Sequence, residues 1–275
     1  MSSFIQKIID FFNNLFKKDW PKACYSINAA MITPLFVYND NSQVKKQAEA
    51  LKKSSNYNSV CSLVDLQEGR NYIFMGRNSV KLDSKCEKNI KSVLDAGITP
   101  ILIVRNDWAV RNGWKQKIPS VGGPAPSNHA EFYNQSYLTN EKKFLKSLES
   151  YFPYIHIQLS IEAEPRESAD FALNMAAYLR GIGFKNKILI NPYNSAIHAH
   201  EVIRSKLDGQ GIVWARSYHG VTPPPDPIWN TDGNTKINAL NFKEWMSKFK
   251  NSKKEYIVWT ADFANCPTGI PSEYL

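Results

Sequence analysis

The feature that most constrains this chain is an alternation. From Pro21 onward, short β-rich runs recur with helical patterns between them. Seven runs read as strands: Ala23 to Ala30, Ser59 to Val64, Ile101 to Val104, Ile155 to Ile161, Lys187 to Asn191, Ile212 to Ala215 and Tyr256 to Thr260. A helix between two strands returns the chain to the starting edge, so such units build a parallel sheet. The helical stripes have recognisable ends. Ser84-Lys85-Cys86-Glu87 has capping-box spacing, leads into Ile90, Val93 and Leu94, and stops at Gly97. Phe144, Leu145, Leu148, Tyr151 and Phe152 make a second stripe. Ala172, Met175, Ala176 and Leu179 make a third, closing at Gly181 and Gly183. Ser195 to Leu207 ends at Gly209, and Phe242, Trp245, Met246 and Phe249 form the last.

The expected fold is therefore α/β, a (β/α)8-type TIM barrel in irregular or incomplete form, because seven runs are one short of eight. Asn71 to Met75 is a candidate extra strand, although no helix separates it from the run before. A doubly wound open sheet is the alternative, but Met31-Ile32-Thr33-Pro34, after the first strand, lacks a Gly-rich phosphate loop. Two parts are expected: an amphipathic N-terminal helix over residues 1–20 and a barrel domain over 21–275. In the first, Phe4, Ile5, Ile8, Ile9, Phe12, Leu15 and Phe16 recur at three- and four-residue steps and share one face. Lys7, Asp10, Asn13, Asn14, Lys17 and Lys18 fill the other. This segment reads either as a contact to a membrane surface or larger assembly, or as a cover for the open bottom of the barrel.

Composition excludes several classes. A formal charge of +9 favours acidic partners, but the lysines are scattered as on solvated helix faces, so no nucleic-acid partner is expected. Cys24, Cys61, Cys86 and Cys266 lack metal-ligand spacing and read as buried thiols. His198 and His200 are two apart, which puts them on different helix faces, so no metal and no cofactor is expected. No run reaches the ~20 apolar residues of a transmembrane helix. Asp10, Asn13 and Asn14 break any signal-peptide layout. The expectation is cytoplasmic synthesis without classical export, with virion or surface association open.

Ile155 to Glu164 is the most informative segment. Ile155, Ile157, Leu159 and Ile161 are aliphatic, whereas His156, Gln158, Ser160, Glu162 and Glu164 are polar. Strict alternation gives a strand two different faces. With helices before and after it, the apolar face meets the helices and the polar face looks into the barrel. Two carboxylates near the strand's carboxyl end then stand where barrel chemistry collects. The structural alternative is that Glu162 and Glu164 pair with Arg105 or Arg216.

Here the sequence resembles clan A of the glycoside hydrolases, the cellulase-like barrels. In that clan the fourth strand ends in Asn-Glu-Pro, and Ala163-Glu164-Pro165 matches with Ala163 in place of the Asn. The seventh strand carries a Glu nucleophile, and Trp259-Thr260-Ala261-Asp262-Phe263 puts Asp262 in its place. Ser217-Tyr218-His219-Gly220 stands where the sixth strand delivers His and Tyr. The resemblance implies a two-carboxylate, retaining glycoside hydrolase with Glu164 as general acid/base and Asp262 as nucleophile, acting on an oligo- or polysaccharide. The physical case is separate: glycoside hydrolysis needs one protonated and one ionised carboxyl group across the bond, and Glu162 would raise the pKa of Glu164. Sugars also need flat aromatic and planar polar surfaces. Arg105, Asn106, Trp108, Asn191, Tyr193, Tyr218, His219, Trp229 and Glu162 are the substrate-binding candidates. Two other readings stay open: a muramidase- or chitinase-like hydrolase using the Glu162/Glu164 pair, and a non-catalytic glycan-binding or structural, virion-associated barrel.

Overall fold

The computed structural model describes residues 20–32, 35–37, 40–54, 56–64, 66–69, 72–77, 80–105, 117–118, 123–124, 135–160, 165–191, 206–207, 209–218 and 256–260. In 66–69, 72–75, 117–118, 123–124, 135–136, 165–168, 216–218 and 256–260 it describes the backbone alone. The expected N-terminal helix therefore lies outside the described residues. Seven parallel strands make the barrel: β1 (Ala29–Met31), β2 (Ser59–Leu63), β3 (Thr99–Ile103), β4 (His156–Gln158), β5 (Ile188–Ile190), β6 (Val213–Tyr218) and β7 (Tyr256–Thr260). Each pairs with its neighbours in order, and β1 pairs with both β2 and β7, so the sheet closes into a seven-membered ring. All seven expected runs supply a strand. The first is shorter and later than expected, because residues before Ala29 serve another purpose described below.

Asn71 to Met75 does not join the ring. Tyr72–Met75 pairs antiparallel with Leu66–Gly69 in a separate hairpin. Without a crossover helix a strand cannot return parallel to its predecessor.

Strand alternation divides the core into two layers. Ala29, Met31, Cys61, Leu63, Ile101, Ile103, Leu189, Val213 and Ala215 form the cluster inside the barrel. Their chain neighbours Ala30, Val60, Leu102, Ile157, Ile188 and Trp214 face outward into the larger cluster under the helices. Each fully buried Leu or Ile there contributes roughly 1.5–3 kcal/mol against exposure.

Among the described residues the long helices are α1 (Asn41–Ser54), α2 (Ser84–Asp95), α3 (Gln135–Ser147) and α4 (Pro165–Gly181), while the stripe over Phe242 to Phe249 and most of that over Ser195 to Leu207 lie outside them. Val44, Ala48 and Leu51 on α1, Ile90, Val93 and Leu94 on α2, and Ala172, Met175 and Leu179 on α4 recur at helical spacing and are buried. The cap of α2 is one residue earlier than the expected box: Asp83, not Ser84, accepts from the Cys86 N–H at 2.6 Å. A carboxylate there also meets the positive end of the helix dipole. Gly97 (φ 79°) ends α2 and Gly183 (φ 91°) ends α4. Ile98 N–H reaches Val93 O, and Phe184 N–H reaches Leu179 O, the 6→1 bond of a Schellman ending that needs the left-handed residue.

The amino-terminal mouth of the barrel is closed by residues 20–28. Ala23 N–H donates to Pro153 O, and Asn28 N–H to the Asn58 side chain. Cys24 N–H donates to Thr99 Oγ1, and Cys24 Sγ lies 3.1 Å from Ser59 Oγ. Ile27 packs against the inner cluster from below. Trp20 donates to Asp95 Oδ1 at 2.8 Å and packs on Tyr151 and Tyr154.

Candidate active site at the carboxyl mouth

On β4 and its continuation the aliphatic residues Ile155, Ile157 and Leu159 belong to the cluster under the helices. His156, Gln158 and Ser160 are buried on the other face, and Gln158 meets Cys61 of the inner cluster. The polar side of this strand therefore faces the barrel interior, as the alternation requires.

Those polar groups are wired across the ring just below its carboxyl mouth. Cys61 Sγ donates to Gln158 Oε1 at 3.4 Å, and Gln158 Nε2 donates to Ser160 O at 3.1 Å. Ser160 O also accepts the Asn191 N–H at 3.2 Å, and Asn191 Nδ2 donates to Ala215 O at 3.0 Å. This path ties β2, β4, β5 and β6 together. Burial pushes the Cys61 thiol well above its ordinary pKa, so it is a protonated donor here rather than a nucleophile. The doubly held Ser160 carbonyl fixes the strand end from which residues 161–164 depart. Pro165, the first residue of α4, receives the chain on the far side.

Arg105, just past β3, is fully buried. Its guanidinium carbon lies 4.6 Å from the centre of the Phe171 ring and 6.0 Å from that of Tyr137. It thus sits between the strand end and helices α3 and α4. Asn191 is 2% exposed, with its amide nitrogen committed to Ala215 O. The β6 backbone ends at Tyr218. Glu162, Glu164, Asn106, Trp108, Tyr193, His219, Trp229 and Asp262 lie outside the described residues.

Register gives the two faces of the strands at this mouth. On β4 the inward residues are even-numbered. On β7, Trp259 pairs with inward Ala29 and Thr260 with outward Ala30, and Tyr218 of β6 pairs with Thr260 and shares its outward parity.

One buried feature was not expected from the sequence. Arg77 makes a two-pronged ion pair with Glu141 at 2.9 and 3.1 Å, both side chains fully buried. Its guanidinium carbon lies 3.4 Å from the centre of the Phe144 ring, and Nη1 also donates to Val104 O at 3.3 Å. The pair therefore holds the carboxyl end of β3 from behind. The signal was present: Glu141 occupies the same helical face as Tyr137, Phe144 and Leu145, where a lone carboxylate requires a partner.

The chain is a closed α/β barrel with polar groups gathered just below its carboxyl mouth. No protein-family model and no curated protein sequence matches this chain. Solved structures do match in fold. The endo-1,4-beta-mannanase from Rhizomucor miehei superposes with a TM-score of 0.55 at 11% identity, over 89% of each chain. ZgEngAGH5_4, in complex with a cellotriose, gives 0.51 at 11% identity, over 86% of this chain and 78% of its own. A GH5-4 broad specificity endoglucanase from Bacteroides salanitronis gives 0.51 at 9%, over 88% and 78%. These likenesses show that the chain shares the barrel fold of those glycoside hydrolases.

Proposed function

We propose that this chain is a glycoside hydrolase that cleaves a polysaccharide, with Glu164 as its general acid/base. One observation carries the reading: the polar face of β4 turns into the barrel, with Gln158 and Ser160 buried there, and Glu162 and Glu164 are the next two polar residues of the same sequence alternation. Barrel enzymes assemble their chemistry at this end. The fold relatives include a mannanase and an endoglucanase, which favours a β-1,4-linked glycan as substrate. In the first step the protonated Glu164 gives its proton to the glycosidic oxygen as the bond to the anomeric carbon breaks. A second carboxylate attacks that carbon, and water then displaces it while Glu164 takes a proton back.

Asp262 is the second carboxylate implied by the resemblance, with a separation of about 5–5.5 Å expected for a retaining enzyme. The alternative pair is Glu162 with Glu164, both on the stretch of chain that follows β4. His219, Tyr193, Trp108 and Trp229 are proposed to line the sugar subsites, whereas Tyr218 pairs with Thr260 and carries the outward parity of β6. Asn106 is proposed to add a planar polar group, whereas Arg105, fully buried against Phe171, and Asn191, bonded to Ala215 O, hold the strand ends instead of meeting the sugar.

Reducing-sugar release is the direct test, on a panel of β-mannan, soluble cellulose, chitin and peptidoglycan. Turnover on at least one of them, lost in Glu164→Gln, is the expected result. Asp262→Asn and Glu162→Gln then separate the two pairs, since only loss of the true partner stops every substrate. Binding without release on every glycan would make the chain a glycan-binding barrel.

A further inference from the structure

The amino-end face of the barrel carries features that neither the fold nor a glycan site uses. Residues 23–28 already seal this mouth by the hydrogen bonds of Ala23, Cys24 and Asn28 and by the packing of Ile27. The apolar stripe Phe4, Ile5, Ile8, Ile9, Phe12, Leu15 and Phe16 is therefore not needed to plug it. Trp20 fixes where that segment joins the barrel: on the rim, bonded to Asp95 at the end of α2 and packed on Tyr151 and Tyr154 ahead of β4. This is the pole opposite the candidate active site.

The same face is basic. Lys22 and Lys185 are exposed on segments that lead into β1 and β5, and Lys52 and Lys53 are exposed in the last turn of α1, just ahead of β2. Tyr25 is 86% exposed, and the Lys187 ammonium lies 4.3 Å from the centre of its ring. Two carboxylates of this face are engaged: Asp95 accepts from Trp20, and Glu149 pairs with Lys146 at 2.8 Å. An exposed aromatic ring among lysines, beside an amphipathic segment whose polar side carries Lys7, Lys17 and Lys18, is the chemistry of an anionic membrane interface.

We propose that residues 1–19 and the amino-end face dock together on an anionic lipid surface, so that the carboxyl mouth points away from it towards a polymeric substrate. The apolar stripe enters the headgroup boundary, and the lysines of the barrel face meet the lipid phosphates and carboxylates. The proposal does not depend on which reaction the mouth performs.

Flotation of the full chain with phosphatidylcholine vesicles, with and without phosphatidylserine, tests it. The chain is expected to float with the serine-containing vesicles and to be released by salt. Lys52→Ala and Lys185→Ala should each weaken binding about fivefold. Ile8→Asp combined with Phe12→Asp should leave the chain in solution while its thermal unfolding is unchanged. Orientation is read from an environment-sensitive dye on Lys185→Cys or Lys81→Cys. Only the first should be shielded from aqueous iodide, since residue 81 precedes α2 at the other pole. Failure to float, equal binding to both vesicles with no effect of the lysines, or shielding at residue 81 would each overturn the proposal. So would a dimer that the Ile8→Asp, Phe12→Asp chain no longer forms, because a second copy would then be what covers the stripe.

Discussion

The two mouths of this barrel are made from the same strands and treated in opposite ways. At the amino mouth, polar groups are spent on closure: Cys24, Ser59, Thr99, Asn58 and His156 bond to one another's backbone or side chains and hold residues 20–28 in place. At the carboxyl mouth, Gln158, Ser160 and Asn191 brace the strand ends while the chain beyond them carries the carboxylates, amides and aromatic residues of the proposed site. In a barrel, side chains at the amino end mainly serve stability, whereas those at the carboxyl end are available for chemistry. The difference predicts which kind of damage each mouth will show when altered.

The largest effect belongs to the carboxyl mouth and to activity alone. Glu164→Gln should lower turnover by roughly 10²–10⁴-fold, the usual worth of a general acid, and barely move the urea midpoint. An active Glu164→Gln chain would break the comparison at its centre. Between the two partner candidates, only loss of the true second carboxylate should stop turnover: Asp262→Asn if the pair resembles that of the clan, Glu162→Gln if both carboxylates follow β4.

Next in size is the support behind the carboxyl mouth. Glu141→Ala leaves the fully buried Arg77 guanidinium without its carboxylate, which typically costs about 3–5 kcal/mol. Chemical denaturation should show that loss, and Arg77→Met combined with Glu141→Leu should recover much of it by removing both charges. A loss below about 1 kcal/mol for Glu141→Ala would mean that the pair is relaxed in solution and does not brace β3.

At the amino mouth the expected signature is pH dependence of stability. His156 Nε2 lies 2.9 Å from Cys24 O, while the Lys187 N–H donates to Nδ1 at 3.1 Å. The ring must therefore be neutral, with its proton on Nε2. Burial lowers its pKa from 6.5 to about 4, with the nearby Lys187 charge adding to the effect. The unfolded chain takes up the proton near pH 6.5 and the folded chain only near pH 4. The stability held by this ring is thus complete above the unfolded pKa and is lost as pH falls from about 6.5 to 4. The loss is on the order of 3 kcal/mol. Denaturation of the wild type and of His156→Gln at pH 7 and pH 4.5 isolates it from the carboxylates. Equal pH slopes in the two chains would remove His156 from the latch.

Much of this contrast was legible in the sequence, for physical reasons that also mark its limits. The period-two pattern of Ile155 to Glu164 reports which neighbours a strand has, so the inward turn of Gln158 and Ser160 could be read directly. The other strands followed from β-rich runs set between helical stripes, although the first begins at Ala29 rather than Ala23. The amino-mouth closure could not be read this way. Ala23 to Asn28 looks β-like by composition, yet its hydrogen bonds go to Pro153, Thr99 and Asn58, partners far along the chain. Long-range partners leave no local period. The Arg77–Glu141 pair escaped for a related reason: its halves are 64 residues apart, and only Glu141 stands out locally.

The smallest expected effects come from the two ends of α2, which points one terminus at each mouth. Asp83→Ala removes the acceptor of the Cys86 N–H and the negative charge at the helix start, for about 1 kcal/mol. Gly97→Ala forces a side chain into φ 79°, also for about 1 kcal/mol, with only the flexible Lys52 ammonium, 4.0 Å away, near the added carbon. Equal changes in the urea midpoint are therefore expected. Activity should separate them if the two mouths differ as argued. Gly97 lies among the closure residues at the amino end, so its substitution should leave kcat/KM unchanged at temperatures where the chain is folded. Asp83 lies at the carboxyl end and bonds through its backbone to Gly76, the residue before Arg77, which in turn holds Val104 O behind the site. Loosening that path should lower kcat/KM a few-fold at unchanged stability relative to Gly97→Ala. Identical kinetics in the two variants would mean that bracing from α2 stops short of the mouth, and that the wiring of Gln158, Ser160 and Asn191 holds the strand ends by itself.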